Sequence, residues 1–232
     1  KQFAFCDPNK GGTGQAMVFT AVINLTGGLD QYKADKELDQ EKVKKWSAVW
    51  DWFNANEDKY VLTASNNESL DLLNQGAVSL IIAWDDDTQI AFSKGTIFKR
   101  AKMYIPQMGL PGGGDTVGIL KNAPHKAAAL LFIDFLTSPE MGKEYVKRLG
   151  IPSAAVGAVS AETALPIVVA GVESINTASG MALWLDTDIN IKIVEVYLPG
   201  MQAVLNGTKT PQQVMSEVQE AAKTVQQELK NQ

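Results

Sequence analysis

The sequence predicts an α/β layered fold, because segments patterned as buried strands alternate with segments of helical periodicity. The chain opens with a strand at residues 3–5, a polar glycine-rich loop and a helix at about 13–25. A helix at 67–74 then ends at Gly76 and leads into the segment 78–83, in which every residue except Ser79 is apolar. An apolar segment of this length is typical of a strand that is buried on both faces of a parallel sheet.

The remaining helices are predicted from apolar periodicity and from capping residues. Residues 30–42 are charged and are expected to form an exposed connection, after which a helix at about 40–54 carries one apolar face. Thr210, Pro211 and Gln213 have the pattern of a helix start, so we expect a final helix from that point.

The middle of the chain, residues 106–152, is predicted to form one unit. Residues 111–114 should break regular structure, and residues 116–120 have the pattern of a short buried strand. The next helix is expected to bury the face formed by Ala128, Leu131, Phe132, Phe135 and Leu136. Ser138, Pro139 and Glu140 then predict a capped helix that ends at Gly150.

Composition limits the possible functions. The chain has 232 residues, of which 45% are hydrophobic, so it can bury a sizeable core. Its net charge of −5 and its scattered Lys and Arg residues argue against binding nucleic acid, which requires basic patches. The single cysteine, Cys6, excludes an internal disulfide and a cysteine-based metal site. No run of 18 apolar residues occurs, so no membrane-spanning helix is predicted.

Residues 118–140, GILKNAPHKAAALLFIDFLTSPE, resemble the extracellular solute-binding proteins, family 1, of bacterial ABC importers. Residues 67–84 and 205–219 are similar to further segments of that family. The resemblance implies a periplasmic-binding-protein-like (type II) two-lobe fold with the solute held between the lobes, and a closed form that the ABC permease subunits in the membrane recognise. It also implies export to the periplasm or to the outer face of the cytoplasmic membrane.

Members of the family usually carry a signal peptide and a first half-lobe before a segment like residues 3–16, so we expect a chain whose first lobe is incomplete. The expected division assigns residues 1–105 and 153–232 to the larger lobe and residues 106–152 to the other, with hinge crossings near 104–106 and 151–153. Residues 106–152 are too short to bury much apolar area by themselves. We therefore expect them to pack on the larger lobe or on a neighbouring molecule.

The first candidate site is the loop that contains Asn9, Gly12 and Thr13. It lies between a strand and a helix, where glycines let backbone N–H groups approach a ligand at the positive end of the helix. The alternative is an ordinary turn with a threonine cap. No Gly-Lys-Ser/Thr sequence follows and the third glycine of a dinucleotide fingerprint is missing, so a nucleotide motif is excluded.

The second candidate site is formed by Trp84, Asp85 and Asp86, which follow the apolar strand at its carboxyl end, where α/β folds bind ligands. Adjacent carboxylates require solvent, a cation or a capping role, so the alternative is a solvated turn in which one aspartate caps the next helix. The resemblance adds Asp115, because polyamine-binding members place an acid there. Gly113 stands where that branch has a tryptophan.

The resemblance also adds Trp184, from a region where sugar-binding members present an aromatic ring; the alternative is that Trp184 fills the core. The iron-binding branch presents adjacent tyrosines, and here every tyrosine is isolated. His125 is expected at the surface, and no nucleophile–base pair or metal-ligand spacing is evident. We therefore expect a binding protein without catalytic residues, cofactor or metal.

The expected solute is a small amine or cation. A sugar or polyol is the alternative solute, and a carboxylate-based α/β enzyme is a less favoured alternative function.

Overall fold

A computed structural model describes residues 2–31, 40–114, 116–178, 181–183 and 188–231. The chain divides into two compact units. Unit 1 consists of Lys1–Ala83, Pro106–Gly112 and Ala178–Gln232, and unit 2 consists of Trp84–Ile105 and Gly113–Thr177. The chain therefore passes between the units after residues 83, 105, 112 and 177, whereas the sequence suggested crossings near 105 and 152.

The opening strand at 3–5 and the helices predicted at 13–25, 40–54, 67–74 and from 210 onward form to within a few residues, whereas the strand at Tyr60–Thr63 was not predicted. The helices are α1 (Gly12–Leu25), α2 (Gln40–Ala55), α3 (Asn66–Asn74), α4 (Asp85–Ser93), α5 (Lys126–Leu136), α6 (Pro139–Leu149), α7 (Pro166–Thr177), α8 (Asp188–Leu205) and α9 (Pro211–Lys230). The strands are β1 (Phe3–Cys6), β2 (Tyr60–Thr63), β3 (Leu80–Ile81), β4 (Leu110–Gly112) and β5 (Met181–Leu183), and short 3-10 turns lie at Leu29–Gln31 and Glu57–Lys59. None of the described helices is long and apolar enough to cross a membrane.

A parallel sheet with the order β2-β1-β3 lies at the centre of unit 1. Phe3 is in register with Tyr60 on one side and with Leu80 on the other. The predicted parallel pairing is confirmed, but the strand predicted at 78–83 is shorter and is not fully buried. Leu80 is 44% exposed, because β3 lies at the edge of the sheet as far as the structure describes it.

The core of unit 1 is aromatic where α2 packs on the sheet. The Phe5 ring lies 5.1 Å from the Tyr60 ring and 5.8 Å from the Phe53 ring, and all three side chains are buried. Helix α8 contributes Val204 and α1 contributes Val18 to the same cluster. Because the middle of α1 and the C-terminal half of α8 are anchored in this cluster, the loop between β1 and α1 is attached to rigid elements.

Two predictions around residue 112 are wrong. Residues 111–114 were expected to break regular structure, yet β4 pairs in parallel with β5 and Pro111 is in register with Ala182. Proline is compatible with this position because it lies in a small sheet, where its missing N–H group need not be paired. Residues 116–120 were expected to form a buried strand, but they form no regular element, and Val117 and Leu120 are 51% and 82% exposed.

The predicted burial of the α5 face is also wrong. The helix forms, but Leu131, Phe132 and Phe135 are 73%, 59% and 55% exposed. Ala128 is exposed as well, and Leu136 is only partly buried. The physical reason is that the described elements cover only a small part of this face, since helical periodicity identifies an apolar face but does not supply its partner.

The predicted helix caps are confirmed. The Ser138 hydroxyl accepts a hydrogen bond from the Met141 N–H group, and Gly150 ends α6 in the left-handed conformation, at φ 73°. At α9, the Thr210 hydroxyl accepts from the Gln213 N–H group while the Gln213 side chain accepts from the Thr210 N–H group. These contacts depend on residues three apart in sequence, so local pattern is sufficient to predict them.

Candidate functional site

The β1–α1 loop and the first turn of α1 are tightly packed, because Gly11 and Gly14 lie against other backbone and side-chain groups. A Cβ atom on Gly11 would lie 2.6 Å from the Asn66 Oδ1 atom and 2.7 Å from the Cys6 Sγ atom. At Gly14 it would lie 2.7 Å from the Pro8 nitrogen. A side chain at Gly11 would displace the Asn66 and Cys6 side chains, and a side chain at Gly14 would displace backbone atoms.

Gly11 is the N-cap of α1 and, having no side chain, leaves the first turn without a side-chain cap. The first turn contains no acid, so the N–H groups that begin at the half-buried Gly12 keep their partial positive charge. Thr13 is fully buried, and its hydroxyl donates to the Asn66 Oδ1 atom at 2.6 Å. Thr13 thus links α1 to the start of α3 and neither caps the helix nor meets solvent.

A ring of three side chains holds the outer part of the loop. Asp7 is 7% exposed, and its Oδ1 atom accepts a hydrogen bond from the Asn9 backbone N–H group at 2.9 Å. Its Oδ2 atom accepts from the Gln202 Nε2 atom, and the Gln202 Oε1 atom accepts from the Asn9 Nδ2 atom at 3.2 Å. Asn9, the exposed candidate residue, is thereby tied to α8.

Sequence reasoning missed Asp7, Asn66 and Gln202. Asp7 carries a usable signal, since it is the first residue after a buried strand, at the end where α/β folds place functional groups. Asn66 and Gln202 lie 53 and 195 residues from their partners, and no local pattern marks them.

Cys6 closes the inner side of this loop. Burial raises the pKa of its thiol, and the charges of Asp7 and Glu68 raise it further. The side chain is fully buried. The thiol is therefore kept in its protonated form and acts as a small packing group beneath Gly11.

The second candidate group forms the start of α4 in unit 2. Trp84 is the N-cap and makes no side-chain cap, while Asp85, Asp86 and Asp87 occupy the first turn. The Trp84 carbonyl accepts from the Thr88 N–H group at 3.1 Å and from the Thr88 hydroxyl at 2.7 Å. Acids in this position are stabilised by the helix dipole, so no ligand is needed to explain them. The alternative of a solvated turn with a capping aspartate is replaced by a helical first turn, because all three aspartates lie inside α4.

Two of these carboxyl groups are perturbed. Burial raises the pKa of Asp85, partly offset by hydrogen bonds from backbone N–H groups. Burial also raises the pKa of Asp87, and the negative charges of Asp86 and Asp85 add to that effect. Asp85 as a whole residue is exposed, so solvent screening limits the energetic effect there.

The structure therefore places the candidates in two groups. Asn9, Gly12 and Thr13 share the β1–α1 loop of unit 1, and Trp84, Asp85 and Asp86 share the first turn of α4 in unit 2. Asp115 and Trp184 lie outside the described residues. Among the residues that are described, no group of three or more His, Cys, Asp or Glu side chains could hold a metal ion.

A concavity of about 310 Å³ in unit 1 contains none of the candidates. It is lined mainly by apolar side chains near the amino ends of the strands, among them Phe3, Met17, Trp52, Leu80 and Ile82. Asp7 and Thr63 lie at the opposite, carboxyl ends of β1 and β2, so this concavity is separate from the β1–α1 loop.

Three solved structures share the fold of the chain. A maltose/maltodextrin-binding domain from Bdellovibrio bacteriovorus, bound to maltotriose, has a TM-score of 0.57 and 13% identity, and the match covers 96% of this chain and 60% of that one. A Streptococcus pneumoniae solute-binding protein in complex with the blood group A-trisaccharide has a TM-score of 0.58 and 15% identity, with 100% and 59% covered. An ABC substrate-binding protein from Listeria monocytogenes in complex with cycloalternan has a TM-score of 0.53 and 15% identity, with 98% and 59% covered.

The chain thus spans about 60% of the length of these solved proteins. The similarity confirms the expected periplasmic-binding-protein-like fold class. None of the curated proteins matches the chain. The family model described as "Bacterial extracellular solute-binding protein" matches residues 3–143, which is more than half of the sequence. The chain belongs to the bacterial extracellular solute-binding protein family.

Proposed function

We propose that this chain is part of the solute-binding component of an ABC importer and that its solute is a sugar or polyol. The observation that carries the choice of solute is that three proteins sharing the fold are each described in complex with an oligosaccharide. In this proposal the protein acts outside the cytoplasmic membrane, delivers its solute to a membrane permease and performs no chemistry on it.

The chemistry of the two candidate groups supports this choice. Sugar hydroxyls both donate and accept hydrogen bonds, and the Asn9 amide and the Asp85 and Asp86 carboxylates are suitable partners for them. The Trp84 indole is half-buried at the start of α4 and can pack against the apolar face of a sugar ring. The N–H groups at the start of α1 add donors without requiring a charged solute.

A small amine or cation is the second candidate. The observation that favours it is the run of three acids in the first turn of α4, with the pKa of Asp85 and of Asp87 raised chiefly by burial. A positive charge beside them would favour the ionised carboxylates and reverse those shifts. Against this candidate, the dipole of α4 already stabilises negative charge at its start.

Isothermal titration calorimetry with two probes separates the candidates. Maltotriose represents the sugar class and spermidine represents the amine class. If the solute is a sugar, maltotriose should bind and Trp84→Ala should weaken that binding at least tenfold, which corresponds to about 1.4 kcal/mol. If it is an amine, spermidine should bind with an affinity that falls steeply with salt, and Asp86→Asn should weaken it.

Asp134→Asn on α5 is the matched control for the charge change, because Asp134 is an exposed acid on a helix of unit 2 and lies outside the candidate groups. It should leave both affinities unchanged. Maltotriose should also be recovered intact after long incubation, since cleavage would indicate a carboxylate-based hydrolase. If neither maltotriose nor spermidine binds, both proposed solute classes are contradicted.

A further inference from the structure

The ring formed by Asp7, Asn9 and Gln202 fixes which atom each amide presents. A carboxylate oxygen only accepts hydrogen bonds, so the Gln202 atom that faces the Asp7 Oδ2 atom must be the Nε2 donor. The Gln202 Oε1 atom is then left to face Asn9, and it can be satisfied only by a donor. Asn9 must therefore turn its Nδ2 atom toward Gln202.

The same logic fixes the outer face of Asn9. Because its Nδ2 atom is bound to Gln202, its Oδ1 atom is directed away from that contact. No residue in the described part of the chain donates to this oxygen, and Asn9 is exposed. The loop thus presents a hydrogen-bond acceptor to whatever approaches it. A freely rotating asparagine would present its oxygen and its NH₂ group equally.

Gln202 can impose this orientation because its own backbone is fixed. Its neighbours on α8, Met201, Val204 and Leu205, are 7%, 2% and 6% exposed and belong to the core cluster of unit 1. Asp7 is fixed in the same way, since its N–H group donates to the Thr63 carbonyl at 2.9 Å, beside the strand pair β1 and β2. Two rigid elements therefore hold the orientation of one exposed side chain.

We propose that Gln202 is a positioning residue that sets the Asn9 amide as a hydrogen-bond acceptor for the solute. This inference rests on the proposed function, and it adds a selectivity that the function alone does not specify. A solute with a hydroxyl or N–H donor is favoured at this position. An ionised carboxylate or phosphate group is disfavoured there, because it has no hydrogen-bond donor for the Asn9 oxygen.

Nuclear magnetic resonance of the whole chain tests the ring without any solute. The Asn9 side-chain NH₂ signals are assigned by their loss in Asn9→Asp. Gln202→Met, which keeps the length of the side chain but removes both hydrogen bonds, should move these signals toward those of a solvent-exposed asparagine. Gln212→Met is the matched control, since Gln212 is exposed on α9, and it should leave them in place. Unchanged Asn9 signals in Gln202→Met would overturn the proposal.

Maltotriose titration then tests the consequence. Gln202→Met should bind maltotriose about tenfold more weakly than wild type, the loss expected for about one hydrogen bond. If wild type binds maltotriose and Gln202→Met binds it equally well, Gln202 does not position a binding group and the inference is wrong. If wild type binds neither maltotriose nor spermidine, the proposed solute classes are wrong. The Asn9 signals still decide whether the ring fixes the orientation of the Asn9 amide.

Discussion

Replacing Gly14 with alanine should destabilise unit 1, although alanine is the better helix former. Gly14 is the third residue of α1 and is buried. A Cβ atom there would lie 2.7 Å from the Pro8 nitrogen, 2.8 Å from the Asp7 carbonyl carbon and closer still to the Cys6 carbonyl oxygen. Real Cβ atoms essentially never approach other atoms within 3.0 Å, so the backbone of the loop would have to move.

Two opposing effects decide the size of the change. Helix propensity favours alanine over glycine by about 1 kcal/mol. Overpacking a filled site costs about 1–3 kcal/mol and occasionally more. The upper value applies here because the obstructing atoms are backbone and cannot rotate away. The net loss is then about 2 kcal/mol, which for a chain of this length lowers Tm by about 4–8 °C.

Thermal unfolding followed by far-UV circular dichroism measures this loss. Gly118→Ala is the control, since a Cβ atom there would meet nothing within 4 Å, and its Tm should match that of wild type to within about 1 °C. A Gly14→Ala variant with a Tm equal to or above that of wild type would refute the close approach of α1 to the end of β1.

Two further predictions concern helix starts. Thr210→Ala removes the capping box of α9 and should lower the free energy of unfolding by about 1 kcal/mol, or Tm by about 2–4 °C. Thr224→Ala, inside the same helix, is the control and should leave Tm unchanged. Equal losses in both variants would contradict the capping role. Burial and the charges of Asp86 and Asp85 raise the pKa of Asp87 above its ordinary value of 3.8. The folded state therefore holds this proton more tightly than the unfolded state does, and the free energy of unfolding should fall as the pH rises above about 4. Asp87→Asn should therefore gain stability relative to wild type between pH 4 and pH 7 in the same unfolding assay, whereas a difference independent of pH would exclude this origin.

How much the sequence predicts depends on the range over which each feature is determined. The cap at Ser138 involves residues three apart, and the parallel pairing of β1 with β3 follows from an alternation of apolar runs and helices. Both could be predicted without a structure. The β4–β5 pair joins residues about 70 apart around a proline, and neither strand has a pattern that distinguishes it from a loop.

The candidate sites divide in the same way. Positions after a strand and before a helix can be identified from sequence, which is why Asn9 and Asp85 are candidates. The orientation of a side chain at such a position is set by distant partners. Thr13 was expected at the ligand but faces Asn66, while Gln202, which controls Asn9, has no local signature at all. Sequence therefore indicates where functional groups cluster, and packing determines which atoms they present.

For α5, the prediction that a helix forms is correct and the prediction that its apolar face is buried is wrong. Its alanines and leucines favour a helix through backbone and rotamer entropy, and this preference does not depend on what covers its face. Its packing is a different matter, because burying a leucine or phenylalanine contributes about 1.5–3 kcal/mol only when a partner surface exists. Leu131, Phe132 and Phe135 together forgo on the order of 5 kcal/mol in the described structure, which is comparable with the whole stability of a small domain. The same residues thus yield a correct prediction of the helix and a wrong prediction of its burial, because propensity is a property of the segment and burial is a property of its surroundings.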